Sequence, residues 1–307
     1  MQAPNHRSSH VRPTPQGGGA GIVLAGVAAA IWLKGAEIHW SLTLLSLVIA
    51  VVGLWDDVAQ VSAKVRFAVQ LVASGALIAL SWPLAPLMLT EHWVITSLWL
   101  AVPLTIANVW WINLFNFMDG IDGIAAMQCI FMLLGASILG LYVQPEIYGT
   151  PVWQWMITLV AATFGFLLMN WPPAKIFMGD VGSTYLAFVM FGLALISTRA
   201  GWMSYSAWAI LAATFVTDAT VTLVRRMASG QRWSQAHRSH AYQRLSRRWG
   251  SHKRVTLLFL GLNVFWMLPL AWASLAWPEL SWACLTAAYA PLIVAACKLG
   301  AGRLDHA

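Results

Sequence analysis

Ten stretches of the chain carry no Asp, Glu, Lys or Arg: 13–33, 38–55, 67–90, 92–118, 123–145, 147–174, 181–198, 200–217, 255–278 and 280–297. Each is at least 18 residues long, close to the ~20 that a helix needs to cross a bilayer core. Polar connectors between them are short, apart from the stretch 225–254. The pattern predicts an all-α, polytopic transmembrane bundle of about ten helices, read as one integral domain over residues 1–307. The 225–254 connector is expected to hold a short amphipathic helix.

Composition narrows the class. Only 9 % of the 307 residues are charged, 59 % are hydrophobic and 19 are Trp. A soluble domain has ~25 % charged residues and cannot hide this much apolar surface in one core. Soluble enzymes and nucleic-acid-binding domains are therefore excluded as readings of the whole chain, despite the net charge of +7. The charge speaks to topology instead. With a cytoplasmic N-terminus and ten crossings, only Lys34 and Arg199 of the 18 Lys and Arg fall outside, and nine of the others lie in 225–254. The opposite orientation breaks the positive-inside rule. Both ends are expected in the cytoplasm.

The acidic residues sort more sharply still. Glu37, Glu91, Glu146 and Glu279 fall in outer loops, whereas Asp56, Asp57, Asp119, Asp122, Asp180, Asp218 and Asp305 fall on the inner side. A featureless bundle has no reason to separate Asp from Glu, so the inner face is where chemistry is expected. Cys129, Cys284 and Cys297 sit in apolar stretches without metal-binding spacing and read as space-fillers. The polar, Pro- and Ser-rich first 16 residues do not read as a secretory signal.

The second apolar stretch runs into Asp56 and Asp57, where two carboxylates meet the negative end of a helix dipole and call for a cation. Lys64 and Arg66 are nearby counter-charges. The fourth ends in Asn113, Asn116, Asp119 and Asp122, with Gly120 and Gly123 permitting close approach of a ligand or backbone. Ionisable groups at membrane depth normally face a cavity or a partner. The sixth ends at Asn170, after which Pro172 and Pro173 stop the helix. Phe177, Gly179, Asp180 and Gly182 then lead into the next helix, whose N-terminus is expected to offer free N–H groups to phosphate. Gly17, Gly18 and Gly19 lead into another such terminus. Asp218 either caps or pairs with Arg225 and Arg226, or joins the site. His237 and His240 lie three apart among arginines, suited to phosphate, a proton or a metal. Carboxylates suit Mg²⁺, which binds through one or two of them plus substrate phosphates. The residues alone thus point to Mg²⁺-assisted chemistry on a phosphorylated substrate at the inner membrane surface.

These motifs, in this order, resemble the polyprenyl-phosphate N-acetylhexosamine-1-phosphate transferase family. The matching segments are 4–10 (PNHRSSH) with 13–19 (PTPQGGG), Asp56 with Asp57, 113–123, 173–183, Asp218 with Arg225 and Arg226, and 237–245 (HRSHAYQRL). The wording at 7–10 and 237–245 is similar to the bacterial branch that primes O-antigen or related surface polysaccharide. It departs from the muramoyl branch, which carries a tight run of His.

The resemblance implies an enzyme of the bacterial cytoplasmic membrane that moves a HexNAc-1-phosphate from a UDP-sugar to undecaprenyl phosphate and releases UMP. It implies Mg²⁺, with Mn²⁺ as the alternative, and leaves room for a homodimer. Asp56, Asp57, Asp180, His237 and His240 would be catalytic, with Asp57 and Asp180 on the metal. Asn116, Asp119, Asp122, Asn170, Phe177 and Gly179 would hold the nucleotide sugar, Phe177 stacking on uracil. Asn113, Asp218, Arg12, Lys64 and Arg226 are secondary candidates. Two features depart from the family pattern. The family has one more helix before segment 4–10, and it carries a basic residue where this chain has Gln16, a role that Arg12 is then expected to take.

Two rival readings fit less well. A transporter tends to place its polar residues at mid-membrane between repeats, and here they crowd at one face without a repeat. A CDP-alcohol phosphatidyltransferase resembles Asp-Gly-x-x-Ala-Arg followed by spaced Asp, and nothing after Asp122 matches that.

Overall fold

The computed structural model describes residues 14–34, 37–89, 93–231 and 237–303. Among the described residues the first four helices are α1 (Gly19–Leu33), α2 (Glu37–Ala59), α3 (Ala63–Leu80) and α4 (Ser97–Met118). A hairpin of β1 (Leu87–Met88) and β2 (Val94–Ile95), paired antiparallel, lies between α3 and α4. Then come α5 (Ile124–Val143), α6 (Pro151–Asn170), α7 (Gly179–Arg199), α8 (Tyr205–Leu211) and α9 (Ala213–Ala228). The rest are α10 (Ala241–Trp249), α11 (His252–Leu262), α12 (Leu268–Ala276) and α13 (Ser281–Lys298). Helix is what a bilayer demands, because every backbone N–H and C=O must find its partner within the segment.

All ten apolar stretches carry helix, and among the described residues eight helical spans are long and apolar enough to cross a membrane. The chain is a multi-pass membrane protein. Two stretches depart from a simple crossing. The first forms only the 15 residues of α1, about 22 Å at 1.5 Å per residue, because Gln16 pairs with Phe177 of another loop and Gly17 and Gly18 turn into the helix. The eighth breaks at Ala212 into α8 and α9, which meet at 74°.

The break is built from side chains. Phe215 N–H donates to Ala212 O (3.1 Å), and Gln128 Nε2 of α5 donates to Leu211 O (3.0 Å). Thr214 Oγ1 donates to Asn263 Oδ1 (3.0 Å), and Asn263 Nδ2 donates to Gln128 Oε1 (2.6 Å). Asn263 opens a π-turn (Asn263–Met267) between α11 and α12, just before Pro269. A wider turn there accommodates a residue that cannot donate and that crowds the preceding carbonyls.

Helix α7 is the hub, packed against α1, α2 and α4, with Tyr185 and Phe188 fully buried. Outward-facing Leu24, Trp32, Val72 and Phe265 are more than two-thirds exposed. Those are surfaces for lipid rather than water. The helix ends that bear Asp56, Asp57, Asp119, Asp122, Asp180 and Asp218 gather at one end of the bundle; Asp305 lies outside the described residues. The expected amphipathic helix in the 225–254 connector is α10.

Candidate active site

The site is assembled where α2 ends and α7 begins. Asp57 Oδ1 accepts the Asp180 N–H (2.9 Å) and Oδ2 accepts the Val181 N–H (3.1 Å), so its carboxylate caps α7. Gly179, at φ +76°, makes that entry, and a Cβ there would sit 2.6 Å from Asp57 Oδ2. Gln16 Nε2 adds a third bond to Asp57 Oδ1 (2.7 Å). Gln16 is delivered by backbone pairing: Phe177 N–H donates to Pro15 O (2.8 Å), and Gly18 N–H to Phe177 O (2.9 Å). Gly19 N–H donates to Met178 O (2.9 Å).

These bonds correct one expectation from the sequence. The N–H groups of Gly18, Gly19, Asp180 and Val181 at the starts of α1 and α7 are not open to a phosphate, because Phe177 O, Met178 O and Asp57 already take them. In place of the basic residue expected near position 16, Gln16 braces Asp57. Arg12 lies outside the described residues.

Asp56 and Asp180 face each other across Arg66 of α3. Its guanidinium pairs with Asp180 Oδ2 at 3.1 Å and, more closely, with Asp56 Oδ2. Lys64 is exposed in the first turn of α3, so Arg66 is the cation that enters the cluster. The signal was available in the spacing. Arg66 and Gln70 stand four apart and share a face, and Gln70 Oε1 accepts from Asn113 Nδ2 (2.7 Å). Asn116 Nδ2 donates to Ser183 Oγ on α7 (2.9 Å). A cleft between α2, α3, α4 and α7 is lined by Arg66, Gln70, Asn113, Asn116, Asp180 and Thr184, and by apolar Ile49, Val52, Val69 and Phe117.

The turn after α4 lies next to the cleft, past Asn116 and Phe117 of its lining. Asn170 Oδ1 accepts the Gly123 N–H (2.8 Å) while its Nδ2 donates to Ile176 O (2.8 Å). Asp122 Oδ2 accepts the Ala174 N–H (3.1 Å) and lies 3.2 Å from His252 Nδ1. Asn170 and Asp122 therefore latch the 119–123 turn to the 171–178 loop, and His252, which the sequence reading missed, joins them from α11. Phe177 is half-buried on that loop. Asp119 is left amid carboxylates: burial first, then the charges of Asp180, Asp122 and Asp57, push its carboxyl well above the usual range. Crowded like charges of this kind are relieved by a cation.

A second cluster lies along α9 and α10. Asp218, buried, accepts from Ala241 N–H and Tyr242 N–H (2.8 Å each) and from Thr222 Oγ1 (3.2 Å). His240 Nδ1 lies 3.4 Å from Asp218 Oδ1, and the His237 and His240 rings are 4.9 Å apart. Burial, with His240 and Arg226 nearby, pushes His237 down to about 4, so it is neutral at pH 7. Its Nδ1 is held by Ser239, whose N–H lies at 3.4 Å and hydroxyl at 3.0 Å. Arg226 is buried beside this group. Tyr242 OH donates to Phe117 O (2.8 Å) and packs on Gly120, tying the second cluster to the Asp119 turn.

The chain matches the family model "Glycosyl transferase family 4" over residues 39–198. It is 30 % identical over 274 residues to a probable undecaprenyl-phosphate N-acetylglucosaminyl 1-phosphate transferase of Bacillus subtilis, covering 84 % of this chain and 73 % of that one. It is 29 % identical over 292 residues to the decaprenyl-phosphate N-acetylglucosaminephosphotransferase of Mycobacterium leprae, covering 83 % and 72 %. A phospho-N-acetylmuramoyl-pentapeptide-transferase of a Synechococcus strain is 32 % identical over 282 residues, covering 82 % and 79 %.

Proposed function

The chain belongs to glycosyl transferase family 4, and from that membership and its carboxylate cluster we propose that it transfers a HexNAc-1-phosphate from a UDP-sugar to undecaprenyl phosphate. UMP is released, and the lipid-linked product starts an O-antigen or another surface polysaccharide. The observation that carries the reading is the Asp56–Arg66–Asp180 group beside a cleft that both polar and apolar side chains line. Such a cleft suits a reaction between a water-soluble diphosphate and a lipid phosphate. The segment from His237 to His240 has Arg238 and Ser239 between its histidines, which favours this branch over the muramoyl one.

The donor set fits a hard divalent cation. Asp56, Asp119 and Asp180 offer carboxylate oxygens, the donors that Mg²⁺ takes one or two at a time alongside substrate phosphates. Asp180 would hold it, with Asp56 or Asp119 beside it, while Asp57 fixes the backbone of Asp180 from behind. The bound ion would neutralise the diphosphate charge as the bond to UMP breaks. In this reading the acceptor phosphate oxygen attacks the β-phosphorus in line. Asp56 takes the proton from the acceptor, Arg66 supplies counter-charge, and His237 donates a hydrogen bond to a phosphate oxygen.

The reading is tested by following the broken bond. UDP-N-acetylhexosamines labelled in the β-phosphate, UDP-GlcNAc first, are incubated with purified protein and undecaprenyl phosphate. Label is expected in the lipid fraction, with UMP in solution. Label recovered as soluble UDP would mean attack at the sugar carbon and would sink the reading.

Topology is tested separately, in a background lacking the three native cysteines. Ser229, exposed after α9, and Tyr148, 72 % exposed between α5 and α6, lie at opposite ends of the bundle. In intact cells Tyr148→Cys is expected to react with an impermeant maleimide and Ser229→Cys to be protected. The reverse pattern would invert the bundle.

A further inference from the structure

We propose that Asp218 is a positioning residue, holding His237 and His240 over the Asp119 turn by capping α10. The inference rests on the transferase reading for its consequence, though not for its geometry. Asp218 is 3 % exposed, and its two oxygens take the first two N–H groups of α10. These are donors that a helix start leaves without intrahelical partners. The residues immediately before that helix are His237, Arg238, Ser239 and His240, so the cap fixes where the histidine segment ends.

The far side of the same carboxylate is equally fixed. Asp218 sits on α9 less than two turns past the 74° break, which Gln128 of α5 and Asn263 of the π-turn hold through Leu211 O and Thr214. The first turn of α10 reaches the site directly, through Tyr242 OH on Phe117 O. Gly120 leaves room for that hydroxyl, where any Cβ would collide with it. A rigid path therefore runs from the bend through Asp218 to the histidines and the 119–123 turn. Asp218 has no opening to substrate on this path: its oxygens are spent on Ala241, Tyr242 and Thr222, with His240 alongside.

Asp218→Asn keeps the shape but turns an NH₂ toward a backbone N–H, so the cap fails at one donor. In the full-length protein, hydrogen exchange across 241–245 is expected to speed up about tenfold or more, with α7 unchanged. kcat is expected to fall about tenfold to a hundredfold, as for other supporting partners of a site, with KM for the UDP-sugar nearly constant. If Asp218 acts through the histidines, adding Asp218→Asn to His237→Asn/His240→Asn costs less than about twofold more. Thr222→Val, which removes only the hydroxyl steadying the carboxylate, is expected to cost about threefold and covers the case in which Asp218→Asn does not fold. Unchanged exchange at 241–245, or losses that multiply in the combined variant, would overturn the proposal. If the wild type makes no lipid-linked product from any donor, the transferase reading falls, and hydrogen exchange still decides the cap.

Discussion

Asp180→Asn is expected to lower turnover by about a thousandfold, the scale of removing one preorganised electrostatic group from a transition state, while the protein stays folded. Asp180 sits with Asp56 around Arg66, and the amide keeps its volume while deleting its charge. Asp57→Asn is expected to cost as much activity for a different reason. Its carboxylate accepts two N–H groups at once, and an amide satisfies only one and opposes the other. That orphaned donor costs about 1–3 kcal/mol, so Asp57→Asn loses stability along with turnover and Asp180→Asn does not. Glu146→Gln, at the opposite end of the bundle, should be nearly silent. Transfer of labelled sugar phosphate and thermal unfolding followed by Trp fluorescence separate the three. Equal loss of activity in all three would point to general misfolding.

Gly19→Val is the substitution expected to cost most in stability, about 3 kcal/mol by overpacking. A Cβ at Gly19 would meet the Gly182 backbone, 2.6 Å from its nitrogen, and a Cβ at Gly182 would lie 2.6 Å from Gly19 Cα. Two backbones in contact have no rotamer to yield, so α1 must leave α7. Since residues 16–19 are bonded to Phe177, Met178 and Asp57, the site opens with the helix pair, and activity falls with the melting temperature. Gly21→Val, with nothing within 4 Å of its Cβ, is the matched control and should be close to neutral. Equal melting temperatures for the two variants would refute the close approach.

The structure divides the inner-face aspartates in a way that their positions along the chain do not disclose. Asp57, Asp122 and Asp218 are bonded to backbone N–H groups of other segments, whereas Asp56 and Asp180 meet at Arg66 and Asp119 is buried near Asp180. Seven acidic residues on one side of a membrane already mark a site, because charge at an apolar boundary is costly wherever it occurs. Which carboxylate meets an N–H and which meets a cation depends on partners far away in sequence: 123 residues for Asp57 with Asp180, and 114 for Arg66 with Asp180. The choice between Lys64 and Arg66 is similar. Both are basic and near the Asp pair, and only the rotation of α3 against α2 and α7 brings one of them in.

By itself, the sequence determined that this is a polytopic helical membrane protein and that its Asp-bearing motifs fall on one side of the bundle. These follow from local quantities: the length of each uncharged stretch, the sign of the charge in each connector, and Pro or Gly at a helix boundary. The tertiary structure decided that α1 is short, that the eighth stretch breaks at Ala212, that the Gly-rich helix starts are closed to phosphate, and that Arg66 joins the cluster. Each is settled by which backbone and side-chain groups meet across helices, since a buried donor or charge must find a partner wherever packing places one.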